Sequence, residues 1–300
     1  MCFTWPTLEA LVSEGESRAG LQQMIGIYNA IWAGAAAVAY FTGGAMLDRL
    51  GLRSLFYVPM ALLLAELALA FWLADRVRRI RDRSGESGSP QANLDAAGIL
   101  LASTPPTELH PHSPTRTRSF LLMAWLVNPF AYIGMNTLVA LMPGIAQRLE
   151  LSTTLAGFLG SLWCFARFGA FICLWIWPGW HYRFRWLLAG YLGLVGSFIT
   201  ILLAPNLPVL VAAQMVFGGA VGLTYYSSLF YSMDSSETKG EHGGIHESVI
   251  GLGNCAGPAV GAAALQFLPQ YSNSGALAVT CLLLCGLGGL TAIWWSGKGP

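Results

Sequence analysis

Long, nearly uncharged apolar runs are the feature of this chain that most restricts its fold. Eight of them are long enough to cross the hydrocarbon core of a membrane as helices, which takes about 20 residues each. They lie at approximately 25–47, 54–74, 119–143, 154–177, 186–204, 208–230, 247–268 and 275–295. Because the runs are continuous and do not alternate, they predict helices and not the strands of a closed barrel. The sequence therefore predicts an all-α, polytopic membrane helix bundle of about eight transmembrane helices.

Charge is scarce in the chain as a whole, and the few charged residues lie mainly between these runs. Charged residues make up 10% of the 300 residues, and 16 Lys and Arg are offset by 15 Asp and Glu. Soluble domains carry about a quarter charged residues, so this composition is typical of a membrane protein. We expect the lipid bilayer as a partner, and the balanced charge gives no indication of nucleic acid binding.

The basic residues indicate an orientation, because lysine and arginine favour the cytoplasmic ends of transmembrane helices. With eight spans, both termini lie on one side of the membrane, and most basic residues fall on that side. The opposite side carries Arg49, Arg53 and Arg148. This distribution predicts a multi-pass protein of the cell (inner) membrane with both termini in the cytoplasm.

One segment, residues 75–117, differs from the rest in composition. It opens with an arginine-rich stretch and continues with Gly, Ser and Pro, which cannot bury enough apolar surface to fold. We predict a largely disordered cytoplasmic linker there. It separates a cytoplasmic N-terminal segment (1–24) and two helices (25–74) from a six-helix bundle (118–300).

An internal repeat relates the first span to the seventh. A shift of 218 positions places the small residues at 35, 39 and 43 on those at 253, 257 and 261. Each set is spaced by four and lines one helix face, and such stripes let helices approach closely in lipid. A chance match is the alternative, because Gly and Ala are abundant. The predicted helix-packing residues are Gly43, Gly44, Gly253, Gly257, Pro258 and Gly261.

The repeat carries a family resemblance. Residues 253–262, with Gly253, Gly257, Pro258 and Gly261, resemble a glycine–proline motif on the fifth and eleventh helices of the major facilitator superfamily, and residues 35–44 keep only Gly43 and its neighbour. That family has two six-helix halves joined by a long cytoplasmic loop. The resemblance implies that the first two spans correspond to helices five and six and the last six to helices seven to twelve. It implies an N-terminally truncated transporter, in which residues 2–11 are a remnant of the fourth helix.

A second motif points to a different alignment. Residues 44–53 resemble the family's Gly-x-x-x-Asp-Arg-x-Gly-Arg-Arg signature, which normally lies on the cytoplasmic turn between helices two and three. That placement would invert the topology. The charge distribution and the repeat favour an external turn at Asp48 and Arg49, with the inverted topology as the alternative.

Polar side chains within the spans are candidates for binding a solute, because amides and charges are costly in contact with lipid. Some share a helix face at i, i+4 spacing, and the resemblance implies that helices seven and ten line the substrate cavity. Hydrogen bonding between helices is the alternative role. The candidates are Asn128, Tyr132, Asn136, Arg167, Gln214, Tyr225 and Asn254.

Two ionisable residues lie near the middle of predicted spans. Arg167 has small residues as helical neighbours, so we predict that it faces the central cavity and pairs with an anionic substrate group or a carboxylate. A structural pair between helices is the alternative. Glu66 lies on an apolar face and is interpreted as a protonated carboxyl bonded to a neighbour, or as a residue for ion coupling.

The remaining motifs do not indicate an enzyme. Residues 232–247 contain two histidines and several carboxylates, but the segment is rich in glycine, so we interpret it as a solvated cytoplasmic connection. The sequence contains no phosphate-binding P-loop, nucleophile elbow or His-Glu-x-x-His motif. We predict neither a metal nor a cofactor.

These observations predict secondary active or facilitative transport of a small polar solute by alternating access, with H⁺ or another ion as a further partner. The alternative is a non-transporting membrane scaffold or an inactive truncated remnant of a transporter. A membrane enzyme is a third class, for which no nucleophile–base pair is visible.

Overall fold

The computed structural model describes residues 4–83, 113–235 and 238–297, and these residues are helical apart from short turns. Residues 178–180 form one turn of 3₁₀-helix. The α-helices are α1 Thr4–Ser13, α2 Arg18–Leu50, α3 Ser54–Arg83, α4 Pro114–Arg148, α5 Thr153–Gly160, α6 Leu162–Ile176, α7 Phe184–Leu203, α8 Leu207–Asp234, α9 Lys239–Phe267 and α10 Ser274–Ser296.

Eight helical segments within the described residues are long and apolar enough to cross a membrane. Seven are single helices, and the eighth, Thr153–Ile176, comprises α5 and α6. These two helices meet at Ser161, whose hydroxyl donates to the carbonyl of Phe158 at 2.8 Å. The prediction of an all-α, polytopic membrane bundle is confirmed. Helix α1 is shorter than a span and is not among the eight.

The two helices that flank the predicted linker reach further into it than expected. Helix α3 continues to Arg83, and Asp75 and Arg79 form an i, i+4 ion pair of 2.5 Å on its last turns. Helix α4 begins at Pro114, where the Ser113 hydroxyl caps it by accepting from the backbone of Arg116. Residues 84–112 of the predicted linker lie outside the described residues.

The prediction of a solvated connection over residues 232–247 is wrong for most of that segment. Helix α8 extends to Asp234 and α9 begins at Lys239. The glycines that suggested a loop are part of α9, and one of them permits a close contact: a Cβ at Gly243 would lie 3.4 Å from the carbonyl oxygen of Pro6 on α1. Local composition favoured a loop, and packing against α1 outweighs it.

The chain divides into two compact units. The larger one comprises residues 1–44 and 110–300, and the smaller one residues 45–109. In the larger unit α8 is central and packs against α4, α6 and α7, while α9 packs against α4, α10 and α1. The smaller unit consists mainly of α3, whose apolar side chains are exposed along its length. Glu66 lies on α3 and is exposed, so its role in ion coupling stays a prediction.

Glycines on α8 let that helix approach α6 at backbone distance. A Cβ at Gly222 would lie 2.9 Å from the Cβ of Ala170 and 3.3 Å from the carbonyl oxygen of Arg167. A Cβ at Gly218 would overlap the carbonyl of Trp163. Small residues at these positions therefore set the spacing that brings the arginine of α6 against α8.

The glycines of the predicted packing motif differ in what they contact. On α9, a Cβ at Gly257 would lie 2.9 Å from the carbonyl oxygen of Ile133, and one at Gly253 would overlap the carbonyl of Pro129 on α4. A Cβ at Gly261 would have only an ordinary contact, at 4.0 Å from Val279, and the close approach at this level is permitted by Gly275 of α10, where a Cβ would lie 2.9 Å from the carbonyl oxygen of Gly261.

The earlier copy of that motif behaves differently. Gly44 opposes Gly157 of α5, and a Cβ at Gly44 would lie 3.1 Å from the Gly157 Cα. A Cβ at Gly43 would meet nothing within 4 Å in the described part of the chain, and Ala35 and Ala39 are exposed. The predicted stripe on α2 is therefore not a packing face within the described residues. The packed face of α2 instead carries Gly26, which lies against Trp175.

Candidate functional site

The central feature of the larger unit is a buried arginine held between two indole rings. Arg167 on α6 is 4% exposed. Its guanidinium carbon lies 4.6 Å from the ring centroid of Trp32 and 5.0 Å from that of Trp163. Cation–π contacts of this kind stabilise a desolvated guanidinium by about 2 kcal/mol. The close α6–α8 approach places this residue in the interior of the bundle.

The same arginine has no acidic partner among the described residues. Its Nη1 lies 3.8 Å from the sulfur of Met135, and its Nε has no hydrogen-bond partner within the described ranges. A buried cation without a counter-charge is costly, and the two rings offset only part of that cost. The position is therefore suited to bind an anionic group.

Aromatic rings extend from the arginine towards α8. Trp32 contacts Tyr225 edge-on with centroids 5.3 Å apart, and Tyr225 lies 6.3 Å from the ring of Tyr132. The indole N–H of Trp32 donates to the side-chain oxygen of Asn29 at 3.0 Å, which fixes the ring. We call this group the arginine cluster; its members are Trp32, Tyr132, Trp163, Arg167 and Tyr225. It joins three of the residues that the sequence singled out, from α4, α6 and α8.

Two further predicted residues form an amide pair between α4 and α9. The Nδ2 of Asn136 donates to the Oδ1 of Asn254 at 2.7 Å and to the carbonyl of Tyr132 at 2.9 Å. Asn254 also lines a cavity of about 660 Å³, together with Thr7 and Glu247. The sequence left cavity lining and inter-helix bonding open, and Asn254 has both kinds of contact.

The last two predicted amides are buried and unpaired. Asn128 on α4 and Gln214 on α8 are both 0% exposed. Neither side chain has a hydrogen-bond partner among the described residues. No described contact joins them to the arginine cluster. Buried amides normally find a partner, so these two are available to water or solute.

Sequence analysis missed a second group of titratable side chains, which lies where α1 meets α9. The Oε1 of Glu9 lies 3.9 Å from the Nε2 of His246. One carboxylate oxygen each from Glu9 and Glu247 and one ring nitrogen of His246 all lie within 4.8 Å of one another. Burial, together with the nearby Glu247 carboxylate, raises the pKa of Glu9 to about 9. We call these three residues the carboxylate–histidine cluster.

This cluster is connected to α8 by two side chains. The hydroxyl of Tyr225 donates to the Oε1 of Glu9 at 3.5 Å, and the hydroxyl of Ser228 lies 2.8 Å from the Nδ1 of His246. One signal in the sequence could have drawn attention to it, because Glu247 is a carboxylate at the first position of the predicted span 247–268.

Polar residues of α2 were also missed. Gln22 donates through its Nε2 to the carbonyls of Leu174 and Trp175, at 2.7 and 3.0 Å, where α6 ends. Asn29, seven residues later, lies on the same helix face and orients Trp32. Amides seven residues apart within an apolar run were the available signal.

An ionic contact joins the beginning of α2 to the end of α8. Arg18 pairs with Asp234 at 2.9 Å, and the Tyr182 hydroxyl donates to the same carboxylate oxygen at 2.5 Å. Burial and the Asp234 charge raise the pKa of Tyr182 well above its usual range. The tyrosine therefore stays a donor at any physiological pH.

Comparison with known proteins gives one family. Residues 1–258 match the family model described as Major Facilitator Superfamily. No curated protein matches the chain. The family match includes every residue of the arginine cluster and of the carboxylate–histidine cluster.

Proposed function

The chain belongs to the Major Facilitator Superfamily, a family of membrane transporters, and we propose that it moves a small polar solute with an anionic group by alternating access. Membrane transport follows from the family, and the chain is a multi-pass integral membrane protein. The nature of the solute and the mode of transport are the proposal. The members of this family are transporters and not enzymes.

The observation that carries the proposal is the unpaired buried charge of Arg167. A guanidinium offers a planar pair of donors that fits a carboxylate or a phosphate bidentately. The cation–π contacts with Trp32 and Trp163 hold the guanidinium without using hydrogen bonds of its N–H groups. A solute anion would supply the counter-charge that the described residues do not provide.

The surrounding side chains suit the rest of a small polar solute. Tyr132 and Tyr225 contribute ring faces and hydroxyls beside the arginine. Outside the arginine cluster, the amides of Asn128, Asn136, Gln214 and Asn254 supply further donors and acceptors on α4, α8 and α9. Membrane-embedded polar groups of this kind are costly unless they have a partner, which supports a role in binding solute or water.

Energy and orientation complete the proposal. Because the sequence has no phosphate-binding P-loop, the solute's own gradient or a coupled ion would drive transport. The chain would lie in the cell (inner) membrane with both termini on the cytoplasmic side, as the distribution of basic residues favours. Glu66 remains a candidate for ion coupling.

The test is uptake into proteoliposomes that contain the purified full chain. A panel of radiolabelled small carboxylates, phosphate esters and neutral sugars would be offered to the wild type and to Arg167→Ala. We expect saturable uptake of an anionic member of the panel, and a loss of at least about tenfold in Arg167→Ala, since one lost charge-assisted contact costs about 1.5–3 kcal/mol.

Arg185→Ala is the matched control, because Arg185 is exposed and its guanidinium lies 5.8 Å from the ring of Trp186. It should transport like the wild type. Asn136→Ala provides a second test of the pathway, with a smaller expected loss. Uptake that is unchanged in both Arg167→Ala and Asn136→Ala would remove the proposed roles of these residues.

A further inference from the structure

We propose that the carboxylate–histidine cluster is a binding site for a divalent first-row transition metal ion. Its three residues come from α1 and α9 and bring one imidazole and two carboxylates together. This donor set matches ions such as Zn²⁺, Co²⁺ and Mn²⁺, which accept nitrogen and oxygen ligands in one site. The proposal does not depend on the transported solute.

The spacing of the donor atoms is close to that of a metal site. Bonds from such ions to nitrogen and oxygen are about 2.0–2.2 Å long, so two ligands of one tetrahedral ion lie about 3.3–3.6 Å apart. The Nε2 of His246 and the Oε1 of Glu9 are 3.9 Å apart, and all three ligand atoms lie within 4.8 Å of one another. Small side-chain rotations would bring them to bonding distance.

Two of the ligand side chains are completely buried and have unsatisfied atoms. Glu9 and His246 are both 0% exposed, and the Oε2 of Glu9 and the Nε2 of His246 have no hydrogen-bond partner among the described residues. Neither Glu9 nor Glu247 forms an ion pair with a lysine or an arginine within the described ranges. A divalent cation that displaces the proton of the Glu9 carboxyl would satisfy these atoms and balance both carboxylates.

A second layer of contacts orients the imidazole. The Ser228 hydroxyl lies 2.8 Å from the Nδ1 of His246, and the ring of Tyr225 lies 5.1 Å away, edge-on. When the Ser228 hydroxyl oxygen accepts a hydrogen bond from Nδ1–H, the lone pair of the imidazole is on Nε2, which faces Glu9. Metal-binding histidines are commonly oriented by a hydrogen bond of this kind to the other ring nitrogen.

The third ligand gives the ion a route to the site. Glu247 is half-buried and lines the cavity of about 660 Å³ between α1 and α9, with Ser248 and Asn254. An ion that enters through this cavity would meet Glu247 first and then the two buried ligands. Once bound, it would join α1 to α9.

The experiment is a metal titration of the purified full chain in detergent, after removal of any affinity tag and treatment with a chelator. Co²⁺ is the probe, because its visible d–d absorption reports a bound ion, and Zn²⁺ and Mn²⁺ are added as competitors. We expect saturable binding of one ion per chain. Glu247→Gln should weaken it at least about tenfold, and Ser228→Ala by about tenfold.

His246→Gln should abolish the Co²⁺ spectrum, and His242→Gln is its control. His242 lies on the same helix and its Nδ1 contacts the carbonyl of Ser232 at 3.1 Å, outside the cluster. If His246→Gln does not fold, Glu247→Gln decides, because that side chain is only half-buried and glutamine has the same shape.

The proposal is overturned if the wild type shows no saturable Co²⁺ binding, or if Glu247→Gln binds as tightly as the wild type. Equal weakening by His242→Gln would also overturn it, by placing the ion elsewhere. These outcomes leave the transport proposal intact, since the titration contains no solute. Uptake that fails in the proteoliposome assay likewise leaves the metal titration unaffected.

Discussion

Two arginine–tryptophan pairs in this protein have similar geometry and different surroundings. The guanidinium of Arg167 lies 4.6 Å from the ring of Trp32, and that of Arg76 lies 5.2 Å from the ring of Trp72. Arg167 is 4% exposed, whereas Arg76 is exposed and Trp72 is 53% exposed. Cation–π contacts contribute about 0.5–1 kcal/mol when exposed and about 2 kcal/mol when desolvated.

The difference shows why one pair is a candidate for function and the other is not. Arg76 belongs to the arginine-rich end of α3, where exposed basic residues favour one side of the membrane. Arg167 has lost its water and has gained only π contacts, so its charge is incompletely compensated. The same pair of residue types is therefore exposed on α3 and desolvated on α6, and only the buried pair is a candidate for binding a solute.

The largest expected effect comes from moving the buried arginine without changing its chemistry. Gly222→Leu would force α8 away from Ala170 and from the backbone of Arg167. Overpacking of this kind costs about 1–3 kcal/mol or more, so we expect a clear fall in the thermal unfolding temperature in detergent and a loss of uptake.

Gly219→Leu is the control for that substitution, because a Cβ at Gly219 meets nothing within 4 Å among the described residues. It should unfold within a few degrees of the wild type. If the two leucine variants were equally stable, the close α6–α8 approach would not position Arg167.

Removing one ring from the buried pair should have the next largest effect. Trp32→Leu keeps an apolar side chain and removes a π face from Arg167, along with the hydrogen bond to Asn29. We expect destabilisation of about 2 kcal/mol from the cation–π contact, seen in denaturant or thermal unfolding. In a chain that already carries Arg167→Met, the same Trp32→Leu substitution should lower the unfolding free energy by less than it does in the wild type. Equal losses of unfolding free energy in the wild-type and Arg167→Met backgrounds would contradict the contact.

An uncharged pair shows how much of this effect depends on charge. Asn136 and Asn254 share a hydrogen bond of 2.7 Å between α4 and α9. Side-chain hydrogen bonds in membrane proteins have coupling energies of about 0.6 kcal/mol. A double-mutant cycle of Asn136→Ala and Asn254→Ala should return a value near that figure, and a coupling of zero would indicate that the amides do not meet.

The smallest effect is expected for the exposed pair. Trp72→Leu on α3 should change the unfolding free energy by no more than about 0.5 kcal/mol, because solvent already stabilises the exposed charge of Arg76. Unfolding of this variant, measured beside Trp32→Leu, gives the contrast directly. A loss as large as that of Trp32→Leu would mean that burial does not distinguish the two pairs.

The features that the sequence predicted are those that lipid imposes on any chain. Backbone groups have no water to bond inside a bilayer, so span length and continuous hydropathy determine helices wherever they occur. The eight spans and the family followed from this pattern and from the motif around Pro258. Arg167, Tyr132 and Tyr225 were also singled out as candidates, because polar groups stand out against an apolar background, and their role in binding stays a prediction.

The features that the sequence did not predict depend on contacts between distant segments. Glu9 and His246 are brought together only when α1 packs on α9. Trp32 gave no signal, since an aromatic residue in an apolar span is ordinary. The stripe at Gly43 was expected to pack like that at Gly253, but which face of a helix meets a neighbour is set by the neighbour and not by spacing alone.

Equilibrium binding of the solute that the uptake panel identifies tests the central account most directly. The radiolabelled solute would be titrated onto the wild type, Arg167→Lys and Arg167→Met in detergent. The account predicts affinity that falls in that order, by at least about tenfold for methionine, because lysine keeps the charge but not the planar pair of donors. Wild-type affinity in Arg167→Met would contradict it.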